Sequence, residues 1–441
     1  MEVGPGRGTL MDDALRTIRK FPPLAAAIES IYLVEASPAL RHAQKQLLCG
    51  DAPMKETDVG FESTSKHSSE LKVTWSEDIR FIPKDASKTP FIIAHEFFDA
   101  LPIHIFQSVP PAASDSTITT SAATAPSLSP PTRRKQEPQW RELMVSPTPA
   151  PNRFLATEKE LESAKDQPDF QLALAKASTP HSLYLPELSQ RYKALKSIPD
   201  SIIEISPESQ SYAADFATRI GGGNSKPPAS PAGSYQEPSQ PHSTRTVASP
   251  NTQSTLHKPQ PSGAALILDY GPTSTIPTNS LRGIRAHKLC SPFSEPGKTD
   301  ISADVDFVAL AEAAINASPG VEVHGPVEQG VWLHAMGGLE RVGQLVKAAM
   351  GKASGRERDE VAGEDGDEGA GAGGDDSKGR KMKDGLREEV ERIEAGWRRL
   401  VDRGPQGMGR IYKVMAMVPY VEVKEGEVRR RPVGFGGDVK V

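Results

Sequence analysis

"MEVGPGRGTLMDDALR" (residues 1–16) places three glycines, Gly4, Gly6 and Gly8, between a short apolar lead and a run with helical spacing. Glycine permits the left-handed turns that such a loop needs, and lets backbone N–H groups come close to a ligand. A helix that follows it presents the positive end of its dipole to whatever occupies the loop. Met11, Ala14, Leu15 and Ile18 recur at i, i+3, i+4 and i+7, so one face of that helix is apolar. A loop of this kind ordinarily caps a full buried strand, yet only "MEV" precedes it.

The spacing separates three ligand classes. A P-loop needs G-x-x-x-x-G-K-[ST], and no lysine follows here. A dinucleotide turn prefers G-x-G-x-x-G, whereas this one is G-x-G-x-G. An acid followed by G-x-G-x-G suits S-adenosylmethionine, and Glu2 supplies the acid. Its carboxylate would accept hydrogen bonds from the ammonium of the ligand's methionine portion, directly or through water. Glu2, Gly4, Pro5, Gly6 and Gly8 are therefore the candidate cofactor loop. An ordinary strand-to-helix turn is the competing reading.

Outward from the loop, strands and helices alternate. "IYLVE" (31–35) reads as a buried strand, and "SPALRHAQKQLL" opens a helix with Ser37 as N-cap and Pro38 at its first position. "LKVTW" (71–75), "PFIIA" (90–94), "ALILDYG" (265–271) and "IYKVMAMV" (411–418) are further strand candidates. Phe307, Leu310, Ala311 and Ala314 share one helical face, and Leu386, Val390, Ile393, Trp397 and Leu400 mark a late helix. This alternation predicts an α/β fold with a largely parallel sheet.

Composition limits how much of the chain joins that fold. Of 441 residues, 39 are proline and 37 glycine, and 37% are hydrophobic. Residues 107–139 and 221–262 are rich in Ser, Thr, Ala and Pro, and residues 352–384 in Gly, Asp, Glu and Lys. Such stretches bury too little apolar area to offset ordering entropy and are expected to be disordered insertions in a single domain. A net charge of -5 gives no basic field for nucleic acid. Cys49 and Cys290 form neither a disulfide framework nor a ligand cluster. No run of 18 apolar residues occurs.

Two acidic features accompany the loop. Glu35 ends the second strand, 27 residues after Gly8, where an acid can accept both ribose hydroxyls of a nucleoside. A surface glutamate is the alternative. "FIIAHEFFDALPIHIF" (91–106) carries Glu96 and Asp99 just beyond a central strand. A zinc-protease reading of "HEFFD" fails because Asp99 stands where the second histidine is required, and no metal site is expected. Paired carboxylates there could bind a cationic substrate or steer a proton. The competing reading is that Asp99 caps a helix and Glu96 pairs with an arginine. Arg282, Arg285, His287 and Lys288 form a basic cluster, Asp269 is a candidate turn residue, and Trp75 could stack on an adenine or fill the core.

The strings "EVGPGRGTLMDDALR", "VEASPALR", "FIIAHEFFDALPIHIF", "WREL", "LILDYG", "LRGIRAHK", "PFSEPGKTDISADVDF" and "GPVEQGVWL" occur in an order that resembles the MidA-like methyltransferases. The resemblance covers most of the chain outside the three insertions. It implies a Rossmann-like, seven-stranded, S-adenosylmethionine-dependent fold. For mitochondrial members it implies symmetric dimethylation of an arginine on a hydrophilic-arm subunit of respiratory complex I during assembly, in the matrix. By the resemblance Gly4, Gly6 and Gly8 match the cofactor loop, Glu35 the ribose acid, and Glu96 and Asp99 the substrate-side carboxylates. Family members also carry a segment before the glycine loop, with a G-D-F…S-P-E-type stretch and, in mitochondria, a transit peptide. The chain is therefore expected to be truncated at its N-terminus. Two other functions remain open: a non-catalytic assembly chaperone with the same fold, and a nicotinamide oxidoreductase, against which the G-x-G-x-G spacing argues.

Overall fold

The computed structural model of the chain describes residues 1–110, 137–149, 167–223, 256–286, 288–362, 376–424, 426 and 431–436. They form two compact units, one of Met1–His95, Asp215–Thr273 and Ala314–Val441, the other of Glu96–Ala214 and Ser274–Ala313. The chain thus leaves the first unit twice and returns twice. Of the three low-complexity segments, residues 111–136, 224–255 and 363–375 lie outside the described residues.

The first pass lays down β1 (Glu2–Val3), α1 (Thr9–Ile18), β2 (Ser30–Val34), α2 (Pro38–Cys49), β3 (Lys55–Thr57), β4 (Gly60–Thr64), β5 (Lys72–Ser76) and β6 (Phe91–His95). The second unit then receives β7 (His104–Val109), β8 (Gln139–Pro147), β9 (Phe170–Leu174) and β10 (Ile202–Ile205). Helix α3 (Pro207–Gly221) leads back to β11 (Ala264–Tyr270). A second excursion forms β12 (Arg282–Arg285), β13 (Lys288–Cys290) and β14 (Asp300–Ser302). Then α4 (Phe307–Ala317), β15 (Val321–Glu328), α5 (Gly338–Ala362), α6 (Asp376–Val401) and β16 (Tyr412–Pro419) complete the path. Among the described residues no helix is long and apolar enough to cross a membrane.

The first unit's sheet has the order β15-β16-β11-β6-β1-β2-β5-β4-β3. Strand β1, only two residues long, sits mid-sheet, parallel to β2 through Glu2↔Leu33 and to β6 through Glu2↔Ile93. From β1 the chain steps through β2 to β5 on one side, then crosses to β6 on the other. That reversal is a topological switch point, and ligands of open α/β sheets bind beyond the strand ends at such a point. Strand β16 runs antiparallel to both β11 and β15. The seven strands from β15 to β5 form the expected core sheet, and the β3–β4 hairpin extends its edge through antiparallel pairing of β4 with β5.

Packing follows the sequence periods. Met11 and Leu15 of α1, Leu48 of α2, Leu33 of β2 and Val73 and Trp75 of β5 form one buried cluster. Each large apolar side chain buried there contributes about 1.5–3 kcal/mol. Ser37 caps α2 by accepting from the Leu40 N–H, with Pro38 at the first position, as the sequence predicts. Trp75 is fully buried, so it belongs to the core and not to a ligand surface. A buried cation completes the frame: Arg219 donates to the carbonyls of Ile79, Ile82 and Pro83 and pairs with Asp215. The second unit has its own antiparallel sheet, β10-β7-β8-β9, over a core of Phe106, Trp140, Tyr192, Ile203 and Ile205, and a small sheet β13-β12-β14.

Candidate active site

The glycine loop starts where β1 ends. Val3 pairs with Val34 and Ala94, so Gly4 is the first residue past the paired strands, and its N–H still reaches the Val34 carbonyl at 3.1 Å. Gly4, Gly6 and Gly8 have φ of 63°, 53° and 81°, the left-handed region that costs other residues about 1–2 kcal/mol each. The loop closes through the Gly8 N–H on the Pro5 carbonyl at 2.7 Å. Gly8 is the N-cap of α1 and offers no side-chain cap, which leaves the helix's leading N–H groups directed at the loop. A Cβ built on Gly6 would meet nothing within 4 Å, whereas one on Gly8 would lie 3.2 Å from the Gln44 Cγ.

Glu2 lies at the foot of this loop and is 3% exposed. Its Oε2 is buried without a hydrogen-bond partner. Burial pushes its carboxyl up to about 7. A buried carboxylate oxygen with no hydrogen-bond partner, on the residue that leads into open left-handed glycines, is one that an ammonium-bearing ligand would complete, and the Met1 ammonium already acts on this carboxyl. The residues present therefore fit the methionine end of S-adenosylmethionine.

Glu35 follows β2 and is half-buried. Its Oε1 accepts from the Ser37 N–H at 2.9 Å and its Oε2 from the Gln44 Nε2 at 3.2 Å. Arg41 steadies the same residue by donating to its carbonyl at 3.2 Å, while pairing with Glu77 at 2.9 Å. Gln44 also donates to the Gly6 carbonyl at 2.6 Å and accepts from the Trp75 Nε1 at 3.0 Å. Sequence reasoning missed Gln44. Its signal is a polar residue on the buried face of α2, which Arg41, Leu48 and Cys49 share.

Glu96 and Asp99 belong to the second unit. Glu96 directly follows β6 and is exposed, with a left-handed φ of 51° that a non-glycine residue rarely adopts. Asp99 is half-buried; its Oδ2 accepts from the Ser302 hydroxyl at 2.9 Å and its carbonyl from the Ala303 N–H at 2.9 Å. Burial raises its carboxyl above the ordinary aspartate range, and the Glu96 charge adds to the rise. A small pocket of this unit is lined by Phe98, Tyr192, Glu204, Gln210, Asp304 and Asp306 among others. Its three acids are engaged: Glu204 by the Ser280 N–H, Asp304 by Arg282, and Asp306 by Arg191 and Tyr192.

The remaining sequence candidates separate. Arg282 pairs with Asp304 and Arg285 with Glu295, so two members of the basic cluster have acidic partners within their own unit. His287 lies outside the described residues. Asp269 is fully buried within β11 and accepts from the Tyr270 N–H, so it is a core polar residue of the strand. Among the described residues, atoms that could serve together as metal ligands converge at His104, Glu142 and His181, away from "HEFFD". There Glu142 is committed to hydrogen bonds with His104 Nδ1 at 2.7 Å and with the Thr179 hydroxyl.

A seven-stranded core sheet that is parallel except for β16, next to its edge strand β15, with an acid-plus-glycine turn at its switch point, defines a Rossmann-like S-adenosylmethionine-dependent methyltransferase. Residues 1–327 match the family described as "Putative S-adenosyl-L-methionine-dependent methyltransferase", and the chain belongs to that family. It is 27% identical, over 96% of its length and 67% of the relative's, to a Drosophila melanogaster protein named protein arginine methyltransferase NDUFAF7 homolog, mitochondrial. The Xenopus tropicalis and human proteins named protein arginine methyltransferase NDUFAF7, mitochondrial, are 29% and 26% identical. The chain spans little more than half of these two, 57% and 55%, and 76% of its own length is matched in each. A crystal structure from Burkholderia thailandensis with bound S-adenosyl-homocysteine aligns over 99% of this chain and 72% of that one, with a TM-score of 0.49 and 15% identity.

Proposed function

We propose that this chain methylates arginine on a protein substrate, using S-adenosylmethionine held by Glu2, Gly4, Pro5, Gly6, Gly8 and Glu35. The observation that carries the cofactor assignment is the buried, unpartnered Glu2 Oε2 beside three left-handed glycines. The arginine assignment is supported by the names of the relatives. Those names also say mitochondrial, which supports a mitochondrial setting; the matrix, the assembly of respiratory complex I and symmetric dimethylation of a hydrophilic-arm arginine are proposed on the resemblance to the MidA-like methyltransferases.

The bound cofactor supplies a methyl group made electrophilic by its sulfonium. Glu2 would hold the cofactor's ammonium, the start of α1 would offer its leading N–H groups to the cofactor's carboxylate, and Glu35 would accept from its ribose hydroxyls. The protein side has a harder task, because a guanidinium stays protonated and delocalises its lone pairs. Glu96 and Asp99 are the residues assigned to it. The exposed Glu96 carboxylate draws the cation, and Asp99, held by Ser302, fixes one guanidinium edge and takes up the proton released. The raised Asp99 carboxyl suits it to that proton. Positioning supplies most of the rate, since no covalent intermediate is required.

The test is transfer of labelled methyl from S-adenosylmethionine to purified hydrophilic-arm subunits of complex I, with mass spectrometry of the product. Labelled dimethylarginine that disappears in Asp99→Asn, with cofactor binding retained, is the expected result. Cofactor binding with no methylated protein would instead favour a non-catalytic assembly chaperone. Binding of NAD in place of the methyl donor would overturn the cofactor assignment.

A further inference from the structure

The side-chain amide of Gln44 stands where the two cofactor segments meet. Gln44 is fully buried, as is Trp75, whose indole N–H it accepts. Its Nε2 donates both to the loop, at the Gly6 carbonyl, and to the strand-end acid, at the Glu35 Oε2. These three partners fix which way the amide faces. Turned over, its oxygen would meet a carbonyl and a carboxylate, and its NH2 would meet an N–H donor. The fit is close as well as polar, because a Cβ on Gly8 would come within 3.2 Å of the Gln44 Cγ.

We propose that Gln44 is a positioning residue of the cofactor site, fixing the Glu35 carboxylate in one orientation against the glycine loop. The inference rests on the cofactor reading above and adds a residue to it. Glu35 is gripped at two points, Oε1 by the Ser37 N–H and Oε2 by Gln44. Each carboxylate oxygen can accept more than one hydrogen bond, so both keep capacity for a hydroxyl. Without Gln44 the carboxylate is tethered at Oε1 alone and turns about that point. The ribose hydroxyls then meet an acceptor that must be ordered at the moment of binding. Packing alone does not require glutamine here. Methionine has similar volume and would fill the space, at the cost of leaving the Trp75 N–H and the Gly6 carbonyl without the amide, so the glutamine is explained by its polar partners and not by its size.

The test compares the full chain with Gln44→Met, Gln44→Glu and Trp75→Phe by calorimetric titration. The probes are S-adenosylhomocysteine and its 2′-deoxyribose analogue, with thermal melting as the check on folding. The wild-type chain should prefer the ribose form by about tenfold or more, as expected when a charged acceptor reads a hydroxyl. Gln44→Met should melt cooperatively and lose most of that preference. Gln44→Glu should bind more weakly still, because it sets a second carboxylate against Glu35 and the Gly6 carbonyl. Trp75→Phe removes the donor that orients the amide, together with part of the buried indole volume, and should give an intermediate preference between the two probes, a ratio that loss of packing alone would not change, which keeps the test decisive if a Gln44 variant does not fold. A purely structural role would weaken both probes by the same factor. An unchanged ratio in Gln44→Met and Trp75→Phe would overturn the inference while leaving the cofactor reading intact. Failure of the wild type to bind either probe would instead remove the cofactor reading itself, and Gln44 with it.

Discussion

Replacing Glu2 by glutamine should stabilise the ligand-free protein at neutral and alkaline pH while weakening the cofactor site. Glu2 is 3% exposed and its carboxyl is raised from 4.5 to about 7 by burial. The sign follows from proton binding. Between those values the native state holds the proton that the unfolded chain has released, so stability falls as pH rises. Each unit of displacement is worth about 1.4 kcal/mol, so the stability lost above the folded value approaches ~3 kcal/mol. Glutamine has the same shape and never ionises. The stability gap between Glu2→Gln and wild type should therefore grow from ~1 kcal/mol at pH 5 to ~3 kcal/mol at pH 8. Denaturant unfolding of both proteins across that range measures the gap. S-adenosylhomocysteine carries the ammonium that Glu2 is assigned to hold, so it should stabilise wild type at pH 8 more than the variant. Parallel stability curves from pH 5 to pH 8 would refute the reasoning, because the carboxylate would then not be buried as described.

Three further outcomes are expected. Gly6→Ala should cost about 1–2 kcal/mol in unfolding experiments, because φ is 53° and its Cβ would meet nothing within 4 Å, yet S-adenosylhomocysteine affinity should drop at least about tenfold as the methyl enters the open face of the loop. Arg219→Met should lower stability by about 2–3 kcal/mol, since it leaves the carbonyls of Ile79, Ile82 and Pro83 without their donor while Asp215 keeps Lys84 as a partner, and chemical denaturation will show it. Methyl transfer should fall as pH drops through a carboxyl range above that of ordinary aspartate, because Asp99 must be ionised to take up a proton and burial raises it; a rate profile that Asp99→Asn leaves unchanged in shape would exclude that role.

Much of the first unit was legible because its signals are local. Glycines at three alternate positions, the i, i+3, i+4 pattern of α1, and Ser37-Pro38 before α2 each act within a few residues, and each appears where the sequence places it. The parallel strands were readable as apolar runs, since both faces of such a sheet are covered. Other features were not legible. The two excursions that build a second unit depend on pairings such as β7 with β10, whose residues lie about a hundred positions apart. Arg282 and Arg285 read as an open basic cluster until Asp304 and Glu295 took their charges. Gln44 looked like one more polar helix residue, because its face of α2 carries Arg41 as well as Leu48 and Cys49, and the sequence does not say which partners that face meets.

By itself, then, the sequence determined the α/β class, the acid-plus-glycine loop and the candidate carboxylates Glu2, Glu35, Glu96 and Asp99, because turn geometry and hydrophobic period are properties of short segments. Tertiary structure decided the state of those carboxylates. Which one has a buried oxygen without a hydrogen-bond partner, which is gripped at both oxygens, and which is raised by burial depends on atoms brought in from distant positions. Burial and hydrogen bonding, not residue type, set what a carboxylate can hold and when it is charged.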